Sequence, residues 1–193
     1  MITGYVLAGG QSSRMGRDKA LLTLNGETWL ERAVRCLSSV CSRVRVIGPR
    51  RHPSMTTLSA VDDLAPGFGP LMGIYTGLMV SETRLNLFVS CDMPFLDSSA
   101  LSELLNCWQD GAEAACYANA DGTLQPLPLV CDARATRSIG RLLNQKRLSL
   151  TGWILGSPHR TAAIRDSQLA FSLENINTPE ALERFNKGYA CPR

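Results

Sequence analysis

The chain lacks the long apolar segment that a transmembrane helix needs. Spanning a bilayer takes about 18 consecutive apolar residues, and no such run occurs among the 193 residues, although 45% of them are hydrophobic. The N-terminus also lacks the basic region and the long apolar region of a signal peptide. We therefore expect a cytoplasmic protein that makes no contact with membranes and has enough apolar residues for a substantial core.

Histidine is scarce, and the cysteines do not have the spacing of metal ligands. The histidines are His52 and His159, and no two cysteines form a C-x-x-C pair, so we do not expect a zinc site. We expect reduced, mostly buried thiols, because the cysteines are odd in number and widely scattered. The seven cysteines are Cys36, Cys41, Cys91, Cys107, Cys116, Cys131 and Cys191.

Positively charged residues are nearly absent from the middle of the chain, and the two ends are basic. Residues 1–60 contain nine Lys and Arg against three Asp and Glu, residues 61–130 contain one against nine, and residues 131–193 contain ten against five. Cations for phosphate oxygens beside carboxylates for Mg²⁺ are typical of a metal-dependent enzyme that acts on polyphosphates. Nucleic acid is a weaker candidate, because the middle is acidic, aromatic residues make up 6% of the chain and no nucleic-acid-binding motif is present.

Two common phosphate-binding patterns, G-x-x-x-x-G-K-[ST] and G-x-G-x-x-G, are not matched at the glycine-rich N-terminal loop. Residues 7–19 read LAGGQSSRMGRDK and directly follow a short apolar run. Glycine lets several backbone N–H groups approach anionic oxygens, and Arg14, Arg17 and Lys19 add positive charge. The pattern favours polyphosphate binding over an ordinary glycine turn with solvated charges.

No linker, internal repeat or low-complexity stretch interrupts an alternation of strand and helix patterns. This alternation predicts an α/β fold with a mostly parallel sheet, helices on both faces, and a single domain over residues 1–193. We expect strands near 2–7, 44–47, 58–61, 87–89, 114–117, 127–130, 160–164 and 171–174. We expect helices after Thr28, from Pro70 with Leu71, Ile74, Tyr75, Leu78 and Met79 inward, after Asp97 or Ser98, over about 133–145, and from Pro179 after a Thr178 cap.

The predicted strand ends carry the residues that matter for chemistry. Ligands of open α/β sheets bind beyond the carboxyl ends of the strands, so the loop after Leu7 and the segments at Gly48, Asp63 and Asp92 should form one cleft. Asp92 directly follows an apolar strand, where a carboxylate can hold Mg²⁺ against phosphates. The alternative for Asp92 is a helix or turn cap, but Asp97 is better placed for that.

Four motifs resemble, in the same order, those of the nucleotidyltransferase superfamily that includes the MobA family of molybdenum cofactor guanylyltransferases and its cytidylyltransferase relatives. They are LAGGQSSRMGRDKALL from residue 7, GPLMG at 69–73, SCDMP at 90–94 and NINTPE at 175–180. The resemblance implies a Rossmann-like fold of the nucleotide-diphospho-sugar transferase type. It also implies transfer of GMP from GTP to the terminal phosphate of molybdopterin, with release of pyrophosphate and with Mg²⁺, or alternatively Mn²⁺, as cofactor.

The resemblance assigns roles to individual residues. The expected catalytic residues are Arg14, Lys19 and Asp92, of which Asp92 also binds the metal. The expected nucleotide-binding residues are Leu7, Ala8, Gly9, Gly10, Lys19, Gly48, Asp63 and Asp92. The expected acceptor-binding residues are Gly73, Gln125, Arg147, Asn175 and Asn177. Transient contacts with proteins that build or receive the molybdenum cofactor are also expected.

Some of these positions have structural alternatives. Gly69 and Gly73 flank a helix N-terminus that could bind an anion, but they could equally allow close helix packing. Asn175 and Asn177 have the spacing of one face of an extended segment, but they could cap a helix. A lone cation such as Arg147 is more often simply solvated.

Two neighbouring positions also leave a choice open. Alternation along a strand would bury one of Asp62 and Asp63 and expose the other, and the resemblance points to Asp63 as the nucleotide contact.

We expect Trp153 to belong to the core rather than to stack on a pterin.

Functional alternatives follow from the departures from the family pattern. The family usually has an asparagine that contacts the nucleotide at the end of the second strand, where this chain has Gly48, which leaves CTP as an alternative donor. A related nucleotidyltransferase with a different phosphorylated acceptor is another alternative. CTP-using relatives tend to carry Ala-Ala-Gly where this chain has Ala8, Gly9 and Gly10, which favours GTP. A catalytically idle GTP-binding or partner-docking protein is a further alternative, against which Arg14, Lys19 and Asp92 argue.

Overall fold

A seven-stranded sheet forms the centre of the protein. The computed structural model describes residues 1–8, 19–48, 59–65 and 68–177. The strands are β1 (Ile2–Leu7), β2 (Thr23–Leu24), β3 (Glu27–Thr28), β4 (Arg43–Ile47), β5 (Ser59–Val61), β6 (Leu85–Ser90), β7 (Ala114–Ala118), β8 (Leu124–Asp132) and β9 (His159–Ala163). The order in the sheet is β5-β4-β1-β6-β8-β7-β9, and β2 and β3 form a separate hairpin.

The sheet is mostly parallel, as predicted. β1 pairs in parallel with β4 and β6, β4 with β5, and β7 with β9. β8 is antiparallel to both β6 and β7. β7 and β8 are joined by a tight turn in which Gly122 has φ +83°, and two adjacent strands that are joined by so short a turn must run in opposite directions.

The helices begin at residues whose side chains can cap them. The helices are α1 (Trp29–Ser38), α2 (Pro70–Met79), α3 (Ser98–Asn106), α4 (Thr136–Asn144), α5 (Leu150–Leu155) and α6 (Ser167–Ser172). Thr28 and Glu31 form a reciprocal capping box at α1, and Asp97 accepts a hydrogen bond from the backbone of Ala100 at α3. The predicted caps of these two helices are therefore confirmed.

Helices cover both faces of the sheet. Gly4 and Leu7 lie on opposite faces of β1, because side chains alternate along a strand. A Cβ at Gly4 would lie 3.2 Å from Leu37 of α1, whereas a Cβ at Gly73 of α2 would lie 3.0 Å from Leu7. α1 packs with α3 on one face, and α2 packs with α4, and α4 with α5, on the other. This arrangement explains the nearly continuous apolar runs of β1 and β6.

Two expectations about local structure were wrong, and one helix was not predicted. Residues 171–174 were expected to form a strand, but Phe171 and Ser172 end α6, whose N-terminus is capped by Asp166. Met79 was expected to face inward, but it is the last residue of α2 and its side chain is 54% exposed. Helix α5 was not predicted, although Ser149 caps it. The predicted helix from Pro179 lies outside the described residues.

The cysteines of the described residues are free thiols, as expected. Cys36, Cys91, Cys116 and Cys131 are buried. Burial raises the pKa of Cys36 to about 11 and that of Cys116 to about 12, so these thiols stay protonated at neutral pH. They therefore act as small apolar core residues. Among the described helices, none is both long enough and apolar enough to span a bilayer.

The close packing of α2 on the sheet depends on Gly77. A Cβ at this position would lie 2.7 Å from the Phe88 ring and 2.9 Å from the Ile47 side chain. We predict that Gly77→Ala lowers the free energy of unfolding by about 1–3 kcal/mol, since overpacking a dense core forces neighbouring side chains from their preferred positions. Urea denaturation measures the change. Gly156→Ala is the matched control, because its Cβ would lie at least 3.4 Å from its neighbours; equal stability of both variants would contradict the prediction.

Candidate active site

Four neighbouring strands, β5, β4, β1 and β6, end together at one edge of the sheet. Backbone hydrogen bonds continue past the last residues of these strands. The Ala8 N–H donates to the Ile47 carbonyl at 2.8 Å, and the Cys91 N–H donates to the Leu7 carbonyl at 3.2 Å. The Gly48 N–H donates in the same way to the Val61 carbonyl at 3.2 Å. These bonds fix the first residues of the loops, and they bring Leu7, Ala8, Gly48 and the segment at Asp92 to one edge as the sequence predicted.

Lys19, Asp92 and Asn177 form a polar cluster at this edge. Lys19 Nζ donates to Asp92 Oδ2 at 3.2 Å and to Asn177 Oδ1 at 2.6 Å. The side chains of Lys19 and Asp92 are only 17% and 14% exposed, respectively. The three residues come from a 3₁₀ turn at Lys19–Leu21, the loop after β6 and the segment after α6, so only the tertiary fold joins them.

The two oxygens of the Asp92 carboxylate have different surroundings. Oδ2 accepts from Lys19, whereas Oδ1 is buried and has no hydrogen-bond partner among the residues that the structure describes. A buried carboxylate oxygen without a partner is costly unless a ligand completes it. The described residues contain no group of three or more acidic, His or Cys side chains that could hold a metal ion. A cation here would therefore be held by Asp92 together with phosphate and water oxygens, which is the mode typical of Mg²⁺.

The loop that carries Asp92 is held from the opposite side by Arg32 of α1. Arg32 Nε donates to the Pro94 carbonyl at 2.9 Å, and its guanidinium also pairs with Glu27 at 3.3 Å. Met93 and Leu96 of the same loop are buried. Sequence reasoning missed Arg32, because nothing in the local pattern of α1 indicates a partner 62 residues away.

The segment after α6 is docked against the same loop. The Ile176 N–H donates to the Asp92 carbonyl at 2.9 Å, and Ile176 itself is 3% exposed. The ring centroids of Phe95 and Phe171 lie 4.2 Å apart at an interplanar angle of 36°, so the two rings are in contact. Gln125 Nε2 donates to the Leu173 carbonyl at 3.1 Å, so Gln125 supports this segment.

The two asparagines of the segment have different surroundings. Asn177 Oδ1 accepts from Lys19, whereas Asn175 Oδ1 is buried and has no hydrogen-bond partner in the described part of the chain. Ile176 is buried between them, which agrees with the predicted extended alternation. Both residues were predicted to bind the acceptor, and the amide oxygen of Asn175 is the one left available to a donor.

Asp63 and the glycines of the GPLMG motif have structural roles here. Asp63 Oδ1 accepts from the Ala65 N–H and from the Thr76 hydroxyl, both at 3.3 Å, which ties the β5–α2 loop to a helix side chain. Gly73 faces Leu7 at packing distance. Gly69 precedes α2 with φ +76° and is exposed. The predicted ligand contacts of Asp63 and Gly73 remain predictions.

Arg147 lies at a cavity between α4 and α5. The cavity has a volume of about 280 Å³ and is lined in part by Arg141, Gln145, Arg147 and Trp153. Arg147 is exposed and forms no side-chain hydrogen bond or ion pair with the described residues, and it does not contact Lys19 or Asp92. Trp153 is 2% exposed and donates to Ser138 Oγ at 3.0 Å, which confirms that it belongs to the core.

Part of the predicted site falls outside the described residues. This holds for the glycine-rich loop with Gly9, Gly10, Arg14 and Arg17, and for the end of the NINTPE motif from Thr178 onward.

The docking of the C-terminal segment can be tested without any ligand. We predict that Phe171→Ala speeds hydrogen exchange of the Ile176 amide by about tenfold, because losing the ring contact costs on the order of 1 kcal/mol. Mass spectrometry of the peptide that contains Ile176 measures the rate. Leu155→Ala, at a side chain that is 62% exposed, is the control and should leave the rate unchanged. An unchanged rate in Phe171→Ala would show that the ring pair does not hold the segment.

Comparisons with known proteins agree with this architecture. A "Probable molybdenum cofactor guanylyltransferase" of Flavobacterium johnsoniae is 28% identical over 185 residues, which is 96% of each chain. A "Molybdenum cofactor guanylyltransferase" of Yersinia pestis is 38% identical over 131 residues, 65% of each chain.

Solved structures share the fold. The molybdopterin-guanine dinucleotide biosynthesis protein A of Archaeoglobus fulgidus has a TM-score of 0.81 at 20% identity and covers 96% of this chain and 97% of its own. The 2-C-methyl-D-erythritol 4-phosphate cytidylyltransferase of Thermus thermophilus has a TM-score of 0.70 at 18% identity, over 95% and 97% of the two chains.

The model of the MobA-like NTP transferase domain matches residues 4–156. This span contains the whole of the strand edge described above except the docked C-terminal segment. The chain therefore belongs to the MobA-like NTP transferase family of nucleotidyltransferases.

Proposed function

We propose that this protein transfers GMP from GTP to the terminal phosphate of molybdopterin and releases pyrophosphate. The observation that carries the proposal is the Asp92 carboxylate at the strand edge, with Oδ2 on Lys19 and Oδ1 buried without a partner. The names of two relatives, both molybdenum cofactor guanylyltransferases, support the acceptor and the nucleotide. Family membership supports the reaction class.

In the proposed reaction, an oxygen of the acceptor phosphate forms a bond to the α-phosphorus of GTP. The bond from that phosphorus to the oxygen bridging to the β-phosphate breaks, and pyrophosphate leaves. The acceptor phosphate is already ionised near neutral pH, so the reaction needs no general base. The protein's part is to align the two phosphates and to neutralise the charge that develops on the leaving group.

Lys19 and Asp92 divide this task. Lys19 offers a compact positive charge to the phosphates of the nucleotide, and Arg14 is proposed to do the same. Asp92 is proposed to hold Mg²⁺ through the oxygen that lacks a partner. When bound there, Mg²⁺ would neutralise phosphate charge and make the leaving group better.

The acceptor is proposed to lie on the side of β8 and the C-terminal segment. Asn175 has a buried amide oxygen without a partner, which suits an N–H donor of a pterin. Arg147, which forms no side-chain hydrogen bond or ion pair with the described residues, is proposed to bind the acceptor, and Gln125 keeps the segment in place. Loss of Asn175 should therefore weaken acceptor binding more than nucleotide binding.

CTP is the second candidate donor, favoured by Gly48 at the position where the family usually has asparagine. A thermal-shift panel with GTP, CTP, UTP and ATP in the presence of Mg²⁺ tests the choice, because a ligand that binds only the folded state raises the melting temperature. We expect GTP to give the largest shift. A larger shift with CTP would contradict the guanylyl assignment, and no shift with any nucleotide would contradict nucleotidyl transfer.

Lys19 should be essential for turnover and dispensable for folding. We predict that Lys19→Met lowers kcat by about 100-fold or more, as loss of a group that stabilises transition-state charge commonly does. Pyrophosphate release from GTP and molybdopterin measures kcat. Lys146→Met, which removes an exposed lysine, is the control. A Lys19 variant with the kcat of the unmodified protein would refute the role.

Asp92 should bind the cation through its charge. We predict that Asp92→Asn, which keeps the shape of the side chain, raises the Mg²⁺ concentration needed for half-maximal GTP binding by about tenfold or more. Isothermal titration with GTP at graded Mg²⁺ concentrations measures this. Asp121→Asn removes a charge from the exposed β7–β8 turn and serves as the control. Equal Mg²⁺ dependence in both variants would move the metal ligand away from Asp92.

A further inference from the structure

Asn177 contacts the nucleotide side of the site rather than a free acceptor pocket. Lys19 has three N–H donors and no acceptor, so the atom of Asn177 that faces it at 2.6 Å is the amide oxygen. The distance from the same ammonium to Asp92 is 3.2 Å, longer than the roughly 2.7–2.9 Å of a typical charge-assisted bond. The neutral amide therefore makes the closer contact, and the carboxylate makes the looser one.

The position of Asn177 relative to Asp92 is fixed by the backbone. The Ile176 N–H donates to the Asp92 carbonyl at 2.9 Å, so the residue that follows cannot move far from the carboxylate. Backbone and side chains close a ring of contacts from Asp92 through Ile176 and Asn177 to Lys19 and back to Asp92. The contact between the aromatic side chains of Phe95 and Phe171 and the hydrogen bond from Gln125 to Leu173 support this ring of contacts.

The ring of contacts gives Lys19 a second partner beside Asp92, with which it forms an ion pair at 3.2 Å. Lys19 and Asp92 are both largely buried, and opposite charges attract strongly where water is scarce. A closer pair would leave the ammonium less available to a phosphate, whereas the Asp92 oxygen proposed for a cation, Oδ1, lies outside this pair. Asn177 gives the ammonium a second acceptor at 2.6 Å.

We propose that Asn177 is a positioning residue for Lys19, which it holds ready for the nucleotide phosphates, and that it is not primarily a contact for the acceptor. This inference rests on the proposed nucleotidyl transfer and changes the role of one residue within it. The two asparagines of the motif then serve different substrates: Asn177 acts through Lys19 on the nucleotide, and Asn175 serves the acceptor.

A double-mutant cycle between Asn177 and Lys19 tests the proposal. We expect Asn177→Ala to raise the Kd of GTP by about fivefold or more, both with Mg²⁺ and in EDTA, as coupled neighbours commonly do. In the Lys19→Met background, the same substitution should change the Kd by less than about twofold. Isothermal titration measures the four dissociation constants, and melting curves verify that each variant is folded.

Asn175→Ala is the matched control, since it changes the same motif at a residue with no bond to Lys19. We expect it to raise the KM for molybdopterin, to leave the Kd of GTP within about twofold, and to show no coupling to Lys19→Met. Asn177→Ala should show the reverse, with a weakened GTP complex and a nearly unchanged KM for molybdopterin.

Two outcomes would overturn the positioning role. One is an effect of Asn177→Ala on GTP binding that is equally large with and without Lys19. The other is an unchanged Kd of GTP with a raised KM for molybdopterin. The cycle is run with CTP as well: if CTP binds and GTP does not, the guanylyl proposal fails, and the coupling between Asn177 and Lys19 is then measured with CTP.

Discussion

The parallel pairing of β1 with β4 and β6 is the constraint on which the rest of the structure depends. Parallel strands end at the same edge of the sheet, so the chain must return to that edge each time it completes a strand. The backbone bonds of Ala8, Gly48 and Cys91 continue this pairing into the first residues of the loops. Asp92 is held rigidly as a consequence, because it lies one residue beyond one of these bonds.

Rigidity at this edge has a cost that other contacts offset. The site places a lysine and an aspartate where little water reaches them, and it leaves oxygens of Asp92 and Asn175 without partners. Such groups are unfavourable in the folded state unless the surrounding structure is stable enough to hold them. The buried strands β1 and β6, the Arg32 bond to Pro94 and the docked segment 173–177 provide that stability. In the proposed function, a cation would complete the Asp92 oxygen and an N–H donor of the acceptor would complete that of Asn175.

Local sequence patterns predicted the strands and helix caps that depend on neighbouring residues. They did not predict the features that depend on contacts between distant parts of the chain. The apolar runs of β1 and β6 and the caps at Thr28 and Asp97 are readable because each depends on neighbours within a few residues. Residues 171–174 were wrongly predicted as a strand, because an aromatic residue followed by alternating polar residues fits a strand as well as the end of a short helix. The contact of Asp63 with Thr76 depends on how α2 folds back onto β5, which no local pattern contains, and the nucleotide contact of Asp63 stays a prediction.

The sequence by itself determined the family, the mostly parallel α/β fold and the identity of the polar residues at the strand ends, because periodicity and short motifs encode burial and backbone conformation over a few residues. The tertiary structure alone decided which of these residues meet. Lys19 and Asn177 are separated by 158 positions, and their contact exists only because the segment after α6 crosses the edge at Asp92. The distance between an ammonium and two competing oxygens depends on packing across the whole sheet, and a one-dimensional pattern carries no information about it.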